Sequence, residues 1–255
     1  MKRLTLLKVG GAQLKDGPNL DRLADLLARL ASECHLIVVH GGGPEIAELQ
    51  RRLGLEPRYR DGLRITDDES LRLAEMVLSG SVNKRLTARL VIRGVKAIGL
   101  SGVDAGLLRA ERMICPKGDL GRVGRITRVD TSLLSELLGD GFTPILSPIS
   151  LGEDGRPLNV NADHAALAIA TALRVAEIVF LTDVPGVMAD DTLLRQLDAE
   201  QARSLMDARR VTGGMIPKVR SALRAVEGGV GVARITNISG LASGGGTRVL
   251  AGPQD

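Results

Sequence analysis

The chain has 255 residues, 44% of them hydrophobic and 25% charged, a balance that fits a globular protein and excludes a disordered or low-complexity one. Its formal charge is only +4, from 34 basic and 30 acidic residues, which describes a mixed, solvated surface rather than a dedicated polyanion-binding face. Three aromatics, Tyr59, Phe142 and Phe180, leave no platform for stacking the bases of single-stranded nucleic acid. Cys34 and Cys115 form neither a CxxC nor a metal spacing and read as small packed hydrophobes. The opening MKRLTLLKVGG carries a basic pair, but its apolar run breaks at Lys8 and no small-residue cleavage site follows. No uncharged apolar stretch approaches the ~18 residues of a membrane helix. A soluble, cytoplasmic protein with neither a nucleic-acid nor a membrane partner is expected.

In chain order, a strand over Leu4–Val9 ends in Gly10-Gly11. A helix over Asn19–Glu33 follows, with Leu20, Leu23, Leu26, Leu27 and Leu30 on one stripe and Asn19 as its N-cap. A second strand, Leu36–Val39, runs into His40-Gly41-Gly42-Gly43, and a helix over Pro44–Leu53 opens on proline. Arg64 then stands isolated between helical segments, ahead of a long mixed helical stretch over Asp68–Arg93. After a strand at Lys96–Leu100, Leu107–Val129 alternates at Val123, Ile126 and Val129 and reads as an antiparallel excursion or lid. A strand at Pro144–Leu146, a hairpin turn at Glu153–Arg156 and a buried helix over Ala162–Leu173, apolar on nearly every side, come next. Strands at Ile178–Leu181 and Ala233–Thr236 flank helices over Asp198–Asp207 and Gly214–Glu227. The Val/Ile/Leu-rich runs do not alternate with polar residues, so both faces of their sheet must be covered. The expected fold is a three-layer α/β/α sandwich around a mainly parallel open sheet, with a β-hairpin lid. The expected lobe boundary lies near Leu173–Glu177, giving lobes of residues 1–174 and 175–255.

Ligands of such sheets bind beyond the carboxyl ends of the strands, where the glycines of this chain cluster. Gly10-Gly11 and Gly41-Gly42-Gly43 leave backbone N–H groups free for an anion, with Lys8 close by. Each run alone reads equally as a tight turn; two runs with a lysine favour an anion cradle. There is no GxxxxGK[ST], and no GxGxxG follows a strand. Lys218 sits where a helix begins, an unfavourable place for a cation unless an anion lies between. Asp163 opens an apolar helix, which needs nearby cations unless it merely caps the helix, as Asn161 also could. Arg64 could fork onto a carboxylate. The three histidines form no metal or triad pattern, and His40 reads as packing at a strand end.

In order, LKVGG (7–11), VHGGGPEI (39–46), GLRITD (62–67), VNKRL (82–86), GLSGVD (99–104), NVNAD (159–163), LTDVPGV (181–187) and GGMIPKV (213–219) resemble the amino acid kinase family, and within it the acetylglutamate kinases. The resemblance implies the fold of that family and ATP-dependent phosphorylation of the side-chain carboxylate of N-acetyl-L-glutamate, with Mg²⁺ carried by the nucleotide. It assigns Lys8 and Lys218 to the phosphoryl group in flight, Asp163 to holding both lysines, and Gly11 with Gly43 to donating N–H groups. Gly42, Gly43, Arg64 and Asn159 would bind the acceptor in the N-terminal lobe. Gly10, the stretch Asp183, Val184, Pro185, Gly186, Val187 and Met188, and Arg210, Val211 and Thr212 would line the ATP site, the last two stretches in the C-terminal lobe. A carboxylate acceptor is already ionised at neutral pH, its pKa being ~4, so no general base is required.

Arginine-inhibited members of the family carry a helix ahead of the first strand. With a first strand starting near Leu4, an arginine-insensitive homodimer joined around Asp68–Arg93 is expected. The nearest alternative is a kinase for acetylaminoadipate or for an amino acid on an acidic carrier protein, which Arg51, Arg52, Arg58 and Arg60 could dock. A nitrogen-signalling protein is a further possible partner. A non-catalytic sensor on the same fold is the other alternative, against which the retention of Lys8, Asp163 and Lys218 together argues.

Overall fold

The computed structural model describes residues 2–189, 192–208, 210–211 and 215–251. It begins with β1 (Leu4–Val9), α1 (Pro18–Glu33), β2 (His35–His40) and α2 (Gly43–Arg52), then a small ribbon of β3 (Tyr59–Arg60) and β4 (Leu63–Arg64). A long helix in three parts follows: α3 (Asp68–Glu75), a π-helical segment (Met76–Val82) and α4 (Asn83–Val91). Next are β5 (Ala97–Gly102), β6 (Leu108–Arg112), β7 (Val123–Val129), α5 (Thr131–Gly139), β8 (Thr143–Gly152), β9 (Pro157–Val160) and α6 (Ala162–Ala172). The last third contains β10 (Glu177–Leu181), a ribbon of β11 (Met188–Ala189) and β12 (Thr192–Leu193), β13 (Gln196–Asp198) and α7 (Ala199–Asp207). It closes with α8 (Met215–Glu227), β14 (Val232–Thr236), α9 (Ile238–Ser243) and β15 (Thr247–Leu250).

One sheet runs β13-β15-β14-β10-β1-β2-β8-β6-β7-β9, with β5 also paired to β8. Its centre is parallel: β1 lies between β10 and β2, and β2 and β5 both pair with β8. Alternation along β1 divides the core. Leu6 packs on the side of α6 and α8, while Leu7 and Val9 pack on the side of α1 and α4. Lys8 therefore shares the face of Leu6 and emerges at the carboxyl end of the strand, towards α6.

Most strands lie where the apolar runs place them, and several local features differ. Asn19 does not cap α1: Pro18 takes the first turn and Gly17, at φ +135°, precedes it. The stretch 68–93 is not one α-helix, because seven residues of it are π-helical. The antiparallel excursion over 107–129 is the pair β6–β7, built into the main sheet, and the turn at 153–156 joins β8 to β9 as expected. Arg64 does not stand between helices; it closes the β3–β4 ribbon, whose turn residues Asp61 and Gly62 both have positive φ, +49° and +80°. At the opposite, amino end of the sheet, buried Glu177 is held by Arg3 at 3.0 Å and Arg234 at 2.6 Å.

Candidate active site

The two glycine turns touch. A Cβ on Gly11 would come within 2.9 Å of both Gly42 Cα and Pro44 Cδ, so the close approach of these loops requires glycine. Among the described residues, no acceptor takes the N–H groups of Gly11, Gly42 or Gly43. Gly43 and Gly11 each open a helical turn, whose first N–H groups have no partner within the helix. From the other side the π-helical segment brings Leu78 against Gly42, where an added Cβ would sit 2.6 Å from Leu78 Cδ2.

Lys8 and Asp163 meet beside these turns, Nζ to Oδ1 at 2.9 Å. Asn161 caps α6, its side chain accepting from the N–H groups of Asp163 and His164. Asp163 is thereby relieved of capping and free to pair with Lys8. Both side chains line a cavity of about 670 Å³ together with Gly10, Gly11, Gly42, Gly43, Arg64 and Asn159. Of the two lysines that the resemblance assigns to Asp163, the structure pairs it with Lys8, whereas Lys218 lies near Asp183.

Arg64 is 8% exposed, and burial draws its pKa below the usual guanidinium value. It donates to Gln50 Oε1, to the Gly43 carbonyl at 2.8 Å and to the Tyr59 hydroxyl at 2.6 Å, and its Cζ lies 4.8 Å from the Tyr59 ring centroid. No carboxylate of the described residues pairs with it. A buried cation whose partners are all neutral is suited to an anionic ligand. Tyr59 and Gln50 were not recognisable as site residues in the chain, although Asp61-Gly62 is a hairpin signal that would have set Tyr59 opposite Arg64.

His40 is completely buried at the head of the second glycine turn. Its Nδ1 faces the Gly41 carbonyl at 3.0 Å and its Nε2 faces Asn83 Nδ2 at 3.1 Å, which assigns the proton to Nδ1. Burial lowers its pKa to about 4, so it remains neutral and acts on the loop rather than on protons.

Lys218 lies outside the cavity, in the first turn of α8, and its charge is felt at Asp183. The Thr182 hydroxyl, donating at 2.8 Å, is the main reason that the Asp183 carboxyl sits below the usual carboxylate range, with Lys218 adding to it. Within 183–188, Asp183, Pro185 and Met188 are exposed and Val184 is half-buried. Gly186 and Val187 are buried, and Val187 donates its N–H to Thr247 Oγ1 at 2.8 Å. Arg210 is exposed and lines a second cavity, about 620 Å³, with Ala189, Thr192 and α7, whereas Val211 is buried. Thr212 lies outside the described residues.

Residues 3–237 match the model of the amino acid kinase family. The chain belongs to the amino acid kinase family. Among its relatives within that family, one named acetylglutamate kinase, from Roseiflexus sp. (strain RS-1), is 49% identical over 95% of this chain and 92% of its own. Another of that name, from Methanopyrus kandleri, is 48% identical over 96% of this chain and all of its own. Of solved amino acid kinase folds, an N-acetylglutamate synthase from Neisseria gonorrhoeae, complexed with coenzyme A and N-acetyl-glutamate, superposes with a TM-score of 0.88 at 27% identity. That match spans 99% of this chain and 60% of the other. A carbamate kinase from Giardia shares the fold, with a TM-score of 0.73 at 15% identity over 98% of this chain and 99% of its own.

Proposed function

We propose that this amino acid kinase transfers the γ-phosphoryl group of ATP to the side-chain carboxylate of N-acetyl-L-glutamate, giving the acyl phosphate used in arginine biosynthesis. The observation that carries the reading is the Lys8–Asp163 pair at 2.9 Å, set against two touching glycine turns in a cavity that also holds an arginine with no acidic partner. Arg64 and Asn159 take the acceptor, Arg64 through a carboxylate that it does not find within the protein. Gly11, Gly42 and Gly43 offer N–H groups to phosphoryl oxygens, and Lys8, held by Asp163, balances charge on the group in flight. Lys218, beside Asp183, serves the nucleotide side with the exposed residues of 183–188 and Arg210. The reacting carboxylate is ionised at neutral pH, so alignment and charge neutralisation are the whole of the chemical task. Mg²⁺ enters as part of the nucleotide. Lysines, arginines and glycine N–H groups outnumber the two acids of the cavity, Glu48 and the already paired Asp163, and suit phosphate oxygens better than a resident cation.

In this reading residues 1–174 form the acceptor lobe and 175–255 the nucleotide lobe, joined through the β1–β10 pairing. The pair of lobes recurs in a homodimer whose contact includes Met76, Val91 and Ile92, large apolar side chains left exposed on the helix of residues 68–91 and at the residue that ends it. Binding of an acidic carrier protein is less well supported, because the basic cluster is divided. Arg58 pairs with Asp67 at 3.4 Å, and Arg60 donates to the Asp119 carbonyl at 3.0 Å.

The test is acceptor profiling with hydroxylamine trapping of acyl phosphate. Purified protein with MgATP should turn over N-acetyl-L-glutamate in preference to N-acetyl-aminoadipate, glutamate and carrier-bound substrates. Preference for any of the others, or ATP binding without transfer, would overturn the assignment.

A further inference from the structure

Thr66 lies between the two groups assigned to the acceptor and touches both. It lies two residues beyond Arg64, the last residue of β4, and is fully buried. Its main chain is pinned by the β6–β7 connection: Thr66 N–H donates to the Leu120 carbonyl at 3.0 Å, and Arg122 N–H donates to the Thr66 carbonyl. Gly121, at φ +69°, passes so close that a Cβ there would sit 2.2 Å from the Thr66 carbonyl oxygen. The side chain is enclosed by protein and makes both of its polar contacts inside it. Its hydroxyl donates to the Arg64 carbonyl at 2.8 Å and accepts from Asn159 Nδ2 at 3.1 Å.

A hydroxyl has one hydrogen. With that hydrogen on the Arg64 carbonyl, Thr66 Oγ1 can only accept, so only the NH₂ end of the Asn159 amide can face it. The Asn159 backbone is fixed separately, its N–H donating to the Arg122 carbonyl at 2.8 Å. We propose that Thr66 is a positioning residue for the acceptor: its hydroxyl locks the orientation of the Asn159 amide, presenting Oδ1 and one remaining N–H to the cavity in a fixed order, and ties that order to the strand carrying Arg64. The proposal rests on the acceptor reading above and adds to it the group that sets the hydrogen-bond polarity of the acceptor side. Valine would match the shape of threonine and lose the lock; serine would retain it.

The experiment measures KM for N-acetyl-L-glutamate and for MgATP, and kcat, by hydroxylamine trapping in wild type, Thr66→Val, Thr66→Ser, Asn159→Ala and the double variant Thr66→Val/Asn159→Ala. Thr66→Val should raise the acceptor KM about tenfold, the size of one lost hydrogen bond, and leave the MgATP KM unchanged. Thr66→Ser should return it to near wild type, and in the Asn159→Ala background Thr66→Val should add nothing. If the valine variant does not fold, Thr66→Ala makes the same comparison. An acceptor KM unaltered by loss of the hydroxyl, an equal rise in the Asn159→Ala background, a parallel rise in the MgATP KM, or failure of serine to rescue would each overturn the proposal. Absence of turnover in wild type would instead overturn the acceptor reading, so the two failures are distinct.

Discussion

Lowering the pH should destabilise this protein well above the range in which its carboxylates titrate, and His40 is the cause. The imidazole is buried between β2, α4 and the second glycine turn, and its pKa falls from 6.5 to about 4 because charging it there means desolvating a cation. The unfolded chain therefore binds a proton that the folded one refuses between those two values. Stability contributed by neutral His40 is present at pH 7 and declines as pH falls through about 6.5, with the loss complete near pH 4. At 1.36 kcal/mol per pH unit, the loss between pH 7 and pH 5 is about 2 kcal/mol, and about 3 kcal/mol when complete. Urea unfolding at pH 7, 6 and 5 measures it, with His40→Gln as the reference that lacks this one titration while keeping those of His35, His164 and the acids. The difference in unfolding free energy between wild type and His40→Gln should shrink or change sign by about 2 kcal/mol from pH 7 to pH 5. Parallel pH dependences in the two proteins would refute the reasoning.

Three further outcomes follow from named contacts. Arg64→Lys keeps the charge but loses the fork that reaches Gln50, Gly43 and Tyr59, and should raise the acceptor KM by about 10–100-fold with little change in the MgATP KM; an unchanged acceptor KM would remove Arg64 from the site. Gly11→Ala drives a Cβ onto Gly42 Cα and Pro44 Cδ, parting the two glycine turns, and should lower kcat on the order of 10²-fold; near-normal kcat would mean that their contact is not needed. Glu177→Gln leaves the largely buried Arg234 without its carboxylate and should cost about 2–3 kcal/mol in chemical denaturation, while kcat stays at wild-type level because the pair lies at the far end of the sheet.

The sheet was legible because its central strands are covered on both faces, which forces unbroken Val/Ile/Leu runs ending in glycine or a small polar residue. The pairing of Lys8 with Asp163 was legible only through the family resemblance, which named both; the chain's own pattern marked Lys8 no further than its place ahead of the first glycine turn. The acceptor side was less legible. The strands of the β3–β4 ribbon are two residues each, too short for any period to register, so Arg64 read as an isolated charge although its burial and Tyr59 partner give it a role. The π-helical turn sets Leu78 against Gly42 and Ser79 against Ser147 at 2.8 Å, long-range contacts that leave no mark on helical spacing. Thr66 acts through partners 2 and 93 positions away, the farther brought close only by the fold of β9. Lys218 was correctly placed at a helix start, but its nearness to Asp183 joins two distant segments and depends on the packing of α8 against β10.

The most direct measurement is single-turnover transfer from MgATP to N-acetyl-L-glutamate by Lys8→Ala, with binding of both substrates followed separately by calorimetry. Loss of the Lys8 ammonium beside Asp163 should slow transfer by ~10² or more while both substrates still bind, as expected for a donor that matters most when charge develops on the moving phosphoryl group. Transfer at a near-normal rate would contradict the assignment of the Lys8–Asp163 pair to the reaction.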